Sequence, residues 1–266
     1  MASALVGGLL KNGFGSERIA VVEVDPAARD RLHAEFGVHA TSDLGNAVNG
    51  STVIVLAVKP QQLREVARQL RPALSGQLLV TIAAGIRTRD LSRWLGGYVQ
   101  VVRVMPNTPA LVRAGVSVLY AMPEVNVDDR RRAESILSSV GATLWVERED
   151  LLDGVTAVSG SGPAYVFYFM EAMEQAAAEL GLTPEQSRQL TQQTFVGAAL
   201  LAQQSSDPPG LLRARVTSKG GTTERALKSL EEDSVKASIV RAIRYAAQRS
   251  RELGDELGQD PGRSAA

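Results

Sequence analysis

The chain has 266 residues, 44% of them apolar and 22% charged, with 29 basic side chains balanced by 29 acidic ones. Such a length and composition suit one large or two smaller globular domains, and a zero net charge gives no electrostatic footprint for nucleic acid or an anionic membrane. The lack of cysteine excludes disulfides and thiolate chemistry and accords with a reducing cytosol, and it leaves the only two histidines, His33 and His39, without partners for a zinc site. No apolar run reaches the ~18 residues of a membrane span.

In chain order, the opening MASALVGGLLKNGFG lacks the basic start of a signal peptide and reads as a short apolar helix ended by Gly13 or Gly15. Residues 19–24 (IAVVEV) are the first predicted strand. Asp25-Pro26 then begins a helix over 27–36, closed by Gly37. A strand at 38–40 and a short helix at 43–49 follow. The run 53–58 (VIVLAV) has the continuous β-branched character of a strand buried on both faces of a parallel sheet. Lys59-Pro60 stops it, and 61–70 has helical spacing. Residues 78–83 (LLVTIA) are the next buried strand, halted by Ala84-Gly85, with a helix at 88–95. Residues 99–104 (VQVVRV) lead into a loop of Met105, Pro106, Asn107, Thr108 and Pro109. Strands at 115–120 and 143–146 flank a helix at 127–140. This alternation with short connections predicts a doubly wound parallel sheet, whose ligands bind beyond the carboxyl ends of the strands.

Beyond Leu151 the pattern is helical, at 164–180, 189–202, 222–230 and 234–253. The first two segments are apolar on most sides and demand burial. A domain this small cannot provide it alone, so an obligate dimer sharing helices is expected.

Four segments mix small, polar and backbone-permissive residues where packing alone does not demand them. AVKP at 57–60 ends a strand and, taken alone, reads first as an ordinary strand stop. The prolines around Asn107 and Thr108 make a rigid loop that suits a binding wall or a plain turn. In VTSKGGTTERA at 216–226, Gly220 and Gly221 allow a tight path, and Ser218, Thr222 or Thr223 can cap the helix that follows. The free N–H groups at that helix start suit a carboxylate, and the segment reads equally as an ordinary capped helix. VSGSGPAY at 158–165 leads into a buried helix with Pro163 near its first turn.

RVMPNTPA (103–110), AVSGSGPAYVF (157–167) and RVTSKGGTTERAL (215–227), in that order and spacing, resemble the pyrroline-5-carboxylate reductase family. AVKP at 57–60 and IAAGI at 82–86 match it too, and the resemblance runs from Met1 to about Leu253. It implies a Rossmann-like NAD(P)-binding domain over 1–147 that lacks its first strand, an all-helical dimerisation and substrate domain over 148–254, and a frayed tail over 255–266. It implies reduction of 1-pyrroline-5-carboxylate to L-proline by NADPH or NADH, the last step of proline biosynthesis. The enzyme would be a cytoplasmic homodimer able to form decamers, needing no metal, nucleic acid or membrane. Its active site would lie where one subunit's cofactor faces the partner's helical domain.

By the same resemblance Ala57, Val58, Lys59, Pro60, Ile82, Ala83 and Ala84 line the cofactor, Asn107 and Thr108 lie close to the nicotinamide, and Glu149 reaches toward it. Ser218, Gly221, Thr222 and Thr223 receive the imino acid, and Thr223 is the catalytic group near the ring nitrogen.

The sequence departs from the family in three places. A strand and GxGxxA loop are missing ahead of the helix that MASAL begins, which is read either as a misplaced start or as a weakened cofactor site. Lys219 replaces a proline, adding charge beside the carboxylate pocket. Glu23 and Asp25 place acid at a strand end, favouring ribose hydroxyls over a 2′-phosphate, although Asp25-Pro26 reads equally as a helix start. Two rivals remain: a β-hydroxyacid or ketopantoate-type reductase, and a cofactor-impaired helical dimer scaffold. The first relies on a lysine acid, yet Lys219, Lys228 and Lys236 are the only lysines after Lys59 and none lies on the long apolar helices.

Overall fold

The central strands are apolar runs whose two faces are each covered by helices. The computed structural model describes residues 1–259, in two compact units: Met1–Ser161 with the described residues from Tyr245 on, and Gly162–Arg244.

In the first unit β1 (Ala20–Val22) pairs in parallel with β2 (His39–Thr41). A separate sheet runs β3 (Val53–Leu56), β4 (Leu78–Thr81), β5 (Val101–Met105), β6 (Gly115–Ala121) and β7 (Gly141–Trp145), in that spatial order. The pairing is parallel throughout except at β5–β6, where Arg103 lies opposite Tyr120 in an antiparallel ladder. The predicted parallel sheet is present, and this one reversed pair is a feature the sequence reading did not anticipate. A parallel crossover needs a dozen or more residues, whereas β5 and β6 are joined only through a 3₁₀ turn at Thr108–Val112.

Side chains alternate across the strands, so each central strand feeds two cores. Leu78, Val80, Val102 and Val104 join Leu5 of α1 (Ala2–Lys11) and Leu137 of α6 (Val127–Leu137) on one face. Leu79 and Val101 join Leu63 and Leu70 of α4 (Pro60–Leu70) and Leu91 of α5 (Thr88–Trp94) on the other. Helices α2 (Pro26–Phe36) and α3 (Leu44–Val48) are capped by the carboxylates of Asp25 and Asp43, which accept from Ala27 N and Asn46 N. The predicted strands end early, at Val22, Leu56 and Thr81, so 57–59 and 82–84 are loops rather than strand.

After β7 a short α7 (Leu151–Val155), absent from the sequence reading, runs into a π-helical turn at Thr156–Gly160. The second unit, all helical among the described residues, holds α8 (Gly162–Glu179), α9 (Pro184–Gln204), α10 (Pro209–Arg215), α11 (Thr222–Glu232) and the first ten residues of α12 (Val235–Gly258). Helix α10 also went unread. Thr183 and Gln186 form a reciprocal capping box at the start of α9. The two helices expected to be buried are not covered within this chain: Phe167 is 59% exposed, Tyr168 72% and Leu201 67%.

The end of α12 revises the expected tail over 255–266. Residues 255–258 are helical, because Asp255 bonds Arg87 at 2.6 Å and Leu257 packs with the core of α4 and α5. Residues 260–266 lie outside the described residues.

Gly141 opens β7 at φ 149°, where an added Cβ would lie 2.0 Å from the Gly115 carbonyl oxygen on β6. Gly141→Ala is therefore expected to lower the unfolding free energy by about 3 kcal/mol, read from the urea midpoint. A wild-type midpoint would mean that the β6–β7 edge yields without strain.

Candidate functional site

The carboxyl ends of β3, β4 and β5 open into three short loops in the first unit. Ala57 and Lys59 are exposed, Val58 is half-buried, and Pro60 takes the first turn of α4, where its missing N–H costs nothing. Lys59 is the N-cap residue and makes no side-chain cap, so the first amides of α4 are uncapped. After β4, Ile82 is half-buried, Ala83 buried and Ala84 exposed. After β5, Asn107 is buried and its Oδ1 accepts from Val116 N at 2.9 Å, anchoring the loop to β6 while Thr108 stays exposed. Asn107 thus shapes the loop and Thr108 presents a hydroxyl. The π turn lies against this loop: a Cβ on Gly160 would collide with Met105 Cε. Two of the sequence motifs, 103–110 and the start of 157–167, are in this way brought together.

Behind these loops lies an ion pair that sequence reading missed. Arg103, almost wholly buried in β5, donates to Glu149 Oε1 at 2.9 Å. The same carboxylate accepts from Thr88 N at 2.7 Å and from Thr88 Oγ1 at 2.8 Å. A carboxylate at the first turn of α5 also meets the positive end of the helix dipole. Three donors commit Glu149 to holding α5, β5 and the segment after β7 together. Tyr120, across from Arg103, has its phenol held above the usual range, by burial first and then by the negative charge of Glu149 and Glu124. The signal for this pair was the single cation in the otherwise apolar strand VVRVM.

At the end of β1, both acids serve the local backbone. Glu23 Oε1 accepts from Asp25 N at 3.0 Å, Asp25 caps α2, and Arg29 Nη1 donates to the carbonyls of Glu23 and Val24. The helix-start reading of Asp25-Pro26 is borne out. No counterpart of a GxGxxA loop occurs among the described residues, and α1 opens at Ala2 with no side-chain cap.

In the second unit, Gly221 N donates to Ser218 O at 3.0 Å, closing a turn with Lys219 and Gly220 at its centre. Gly220 has φ 74°, the left-handed value that a type II turn requires at its third residue. Gly221 is the N-cap of α11 and no side chain caps it, contrary to the capping role anticipated for Ser218, Thr222 or Thr223. Instead Glu224 Oε2 accepts from Gly220 N at 2.7 Å and stiffens the turn from behind. The first-turn amides, Thr222 and Thr223 among them, are thereby left open to an anion.

Among the described residues no cluster of acidic or histidine side chains could hold a metal ion, and no helix is long and apolar enough to cross a membrane.

Parallel strands with loops at their carboxyl ends, followed by a helical unit, are the architecture of Rossmann-type dinucleotide-binding proteins. Comparison with known proteins narrows this. Residues 149–253 match the family described as pyrroline-5-carboxylate reductase dimerisation, and residues 1–85 match NADP oxidoreductase, coenzyme F420-dependent. A pyrroline-5-carboxylate reductase of Pseudomonas aeruginosa is 45% identical over 97% of this chain and 95% of its own length. The solved structure of such a reductase from Coxiella burnetii superposes with a TM-score of 0.90 at 41% identity, covering 95% of this chain and 94% of that one. The Plasmodium falciparum pyrroline carboxylate reductase with NADP bound gives 0.85 at 30% identity, with the same coverage of 95% and 94%. The chain belongs to the pyrroline-5-carboxylate reductase family.

Removing the Glu149 carboxylate leaves a buried guanidinium unpaired. Glu149→Ala is expected to cost roughly 3 kcal/mol in chemical unfolding, and the double replacement Arg103→Met, Glu149→Leu to regain most of it. Equal losses in both variants would show that packing, not charge, holds the three elements.

Proposed function

We propose that the chain reduces 1-pyrroline-5-carboxylate to L-proline with NADPH or NADH, as the last step of proline biosynthesis. The observation that carries this is the 45% identity to a pyrroline-5-carboxylate reductase over almost the whole of both chains. Residues 1–147 make the dinucleotide domain and 148–254 the dimerisation and substrate domain.

The loops after β3, β4 and β5 fit a dinucleotide. Ala57, Ala83 and Ala84 keep side chains small beside the strand ends, and Val58, Ile82 and Pro60 add apolar walls to a flat ring. Lys59 is exposed beside the uncapped start of α4, an electropositive pairing suited to a phosphate. Asn107 and Thr108 border the nicotinamide, Asn107 by shaping the loop and Thr108 by its hydroxyl. Glu149 acts on the cofactor loops through Arg103 and Thr88.

The imino acid's carboxylate is held at the start of α11 by the amides of Thr222 and Thr223 and the hydroxyls of Ser218 and Thr222, with Gly221 giving the close backbone approach. The open first turn supports this assignment. Thr223 sets its hydroxyl near the ring nitrogen, where the product amine needs a hydrogen-bonding partner. A nicotinamide cofactor, when bound, would supply the hydride that the imine carbon takes up. Because the protonated imine is already electrophilic, the protein's part is orientation rather than nucleophilic attack.

The chain works in the cytoplasm as a homodimer, with further assembly to decamers, and engages neither nucleic acid nor membrane. Exposed Phe167, Tyr168, Leu200 and Leu201 on α8 and α9 support the dimer, since apolar faces of that kind mark interfaces.

Purified chain is expected to oxidise NADPH or NADH only when pyrroline-5-carboxylate is present, and Thr223→Val to lower kcat/KM roughly hundredfold with the unfolding midpoint unchanged. A folded dimer with no turnover on either cofactor would overturn the reading, and full activity of the valine variant would remove Thr223 from its role.

A further inference from the structure

From Thr81 to Thr88, the stretch that joins β4 to α5, Ala84 alone is exposed. Gly85 turns the chain there at φ 77°, a left-handed value that glycine takes without strain. The last turns of α12, which belong to the same unit, lie against that turn. A Cβ on Gly85 would come within 3.1 Å of Leu257 Cδ1 and 3.6 Å of Leu253 Cβ. Further along, Arg87 Nη1 donates to Asp255 Oδ1 at 2.6 Å, and its Nη2 donates to the Arg251 carbonyl at 3.3 Å. Ser250 Oγ adds a bond to Asp153 Oδ1 of α7 at 2.7 Å.

The helix gives up some of its own stability to come this close. Glycine inside a helix is a poor former beside alanine, yet Gly254 stands where an added Cβ would lie 3.2 Å from Arg87 Nε. Ala83 and Ala84 carry no side-chain functional group, so the loop after β4 can serve a dinucleotide only through the path of its backbone. One end of that path is fixed by β4, and the other by Glu149 at Thr88. The part between, Gly85 to Arg87, is the part that α12 holds.

We propose that the last turns of α12 position the loop after β4 for the dinucleotide, with Asp255 and Leu257 as positioning residues. The proposal rests on the assignment of Ile82, Ala83 and Ala84 to the cofactor. Asp255 acts through Arg87 and Leu257 through Gly85, and neither is asked to touch the cofactor. The Asp255 side chain is 64% exposed, so its ion pair is screened by water and its loss is expected to loosen the loop without unfolding the chain.

NADPH titrated calorimetrically into the full chain is expected to bind, and Asp255→Ala to weaken that binding about fivefold. Asp255→Glu should restore it. In the cofactor-free chain, hydrogen exchange at the amides of residues 83–87 should quicken in Asp255→Ala. Arg249→Ala is the control: it loses exposed pairs to Glu252 and Glu256 within α12 and should match the wild type in both readings. If Asp255→Ala does not fold, Arg87→Lys carries the same comparison, since an ammonium has no fork to span Asp255 and the Arg251 carbonyl. Wild-type affinity in Asp255→Ala, equal weakening by Arg249→Ala, or faster exchange with affinity unchanged overturns the positioning role. A wild-type chain that binds neither NADPH nor NADH removes the cofactor reading and the proposal with it, a result told apart because the unmodified chain itself fails.

Discussion

Arg103 stands in β5 with valines on either side in sequence and helices covering the sheet, and a guanidinium so placed must have a fixed anion. Glu149 provides it from the segment after β7, and its remaining acceptor capacity is taken by the backbone and hydroxyl of Thr88 at the start of α5. One carboxylate therefore ties three separate stretches of chain together just behind the loops that end β4 and β5. Ala84 lies four residues before Thr88, and Asn107 four residues after Arg103. Loops so short, tethered so closely to a buried ion pair, have little freedom to wander, which is what a site that works by orientation requires.

The helical unit faces the opposite constraint. Its long helices carry more apolar surface than one copy of the chain can cover, and α8 contributes no fully buried residue. Charge and shape at the start of α11 are nonetheless settled locally. A turn closed by Gly221 and braced by Glu224 leaves the first amides of the helix without a side-chain cap. The uncapped N–H groups at that helix start recur at the start of α4.

Much of this was legible in the residues. Continuous β-branched runs marked β3 and β4, Asp25-Pro26 marked the start of α2, and the glycine pair marked the turn before α11. What was hidden has physical causes. Strand periodicity is the same for parallel and antiparallel neighbours, so the reversal at β5–β6 showed only in the brevity of the 106–114 connection. The strands at 53–58 and 78–83 were read too long because Val58 and Ile82 are apolar, although they serve the loops. Glu149 was assigned toward the cofactor because no local pattern reveals that Arg103 and Thr88 would claim it. Ser218, Thr222 and Thr223 all have capping chemistry, yet the turn geometry left the cap position to Gly221.

The amino-acid sequence by itself determined the alternating architecture of the first half, the helical character of the second, the family, and the positions of the loops at the strand ends. These depend on local periodicity and on residues whose backbone preferences act within a few positions. Tertiary structure alone decided which partners those residues took: the Arg103–Glu149–Thr88 tie, the antiparallel β6, and the docking of Asp255 on Arg87. Each joins groups through folding rather than through neighbouring positions, and burial, not spacing along the chain, selects such pairings.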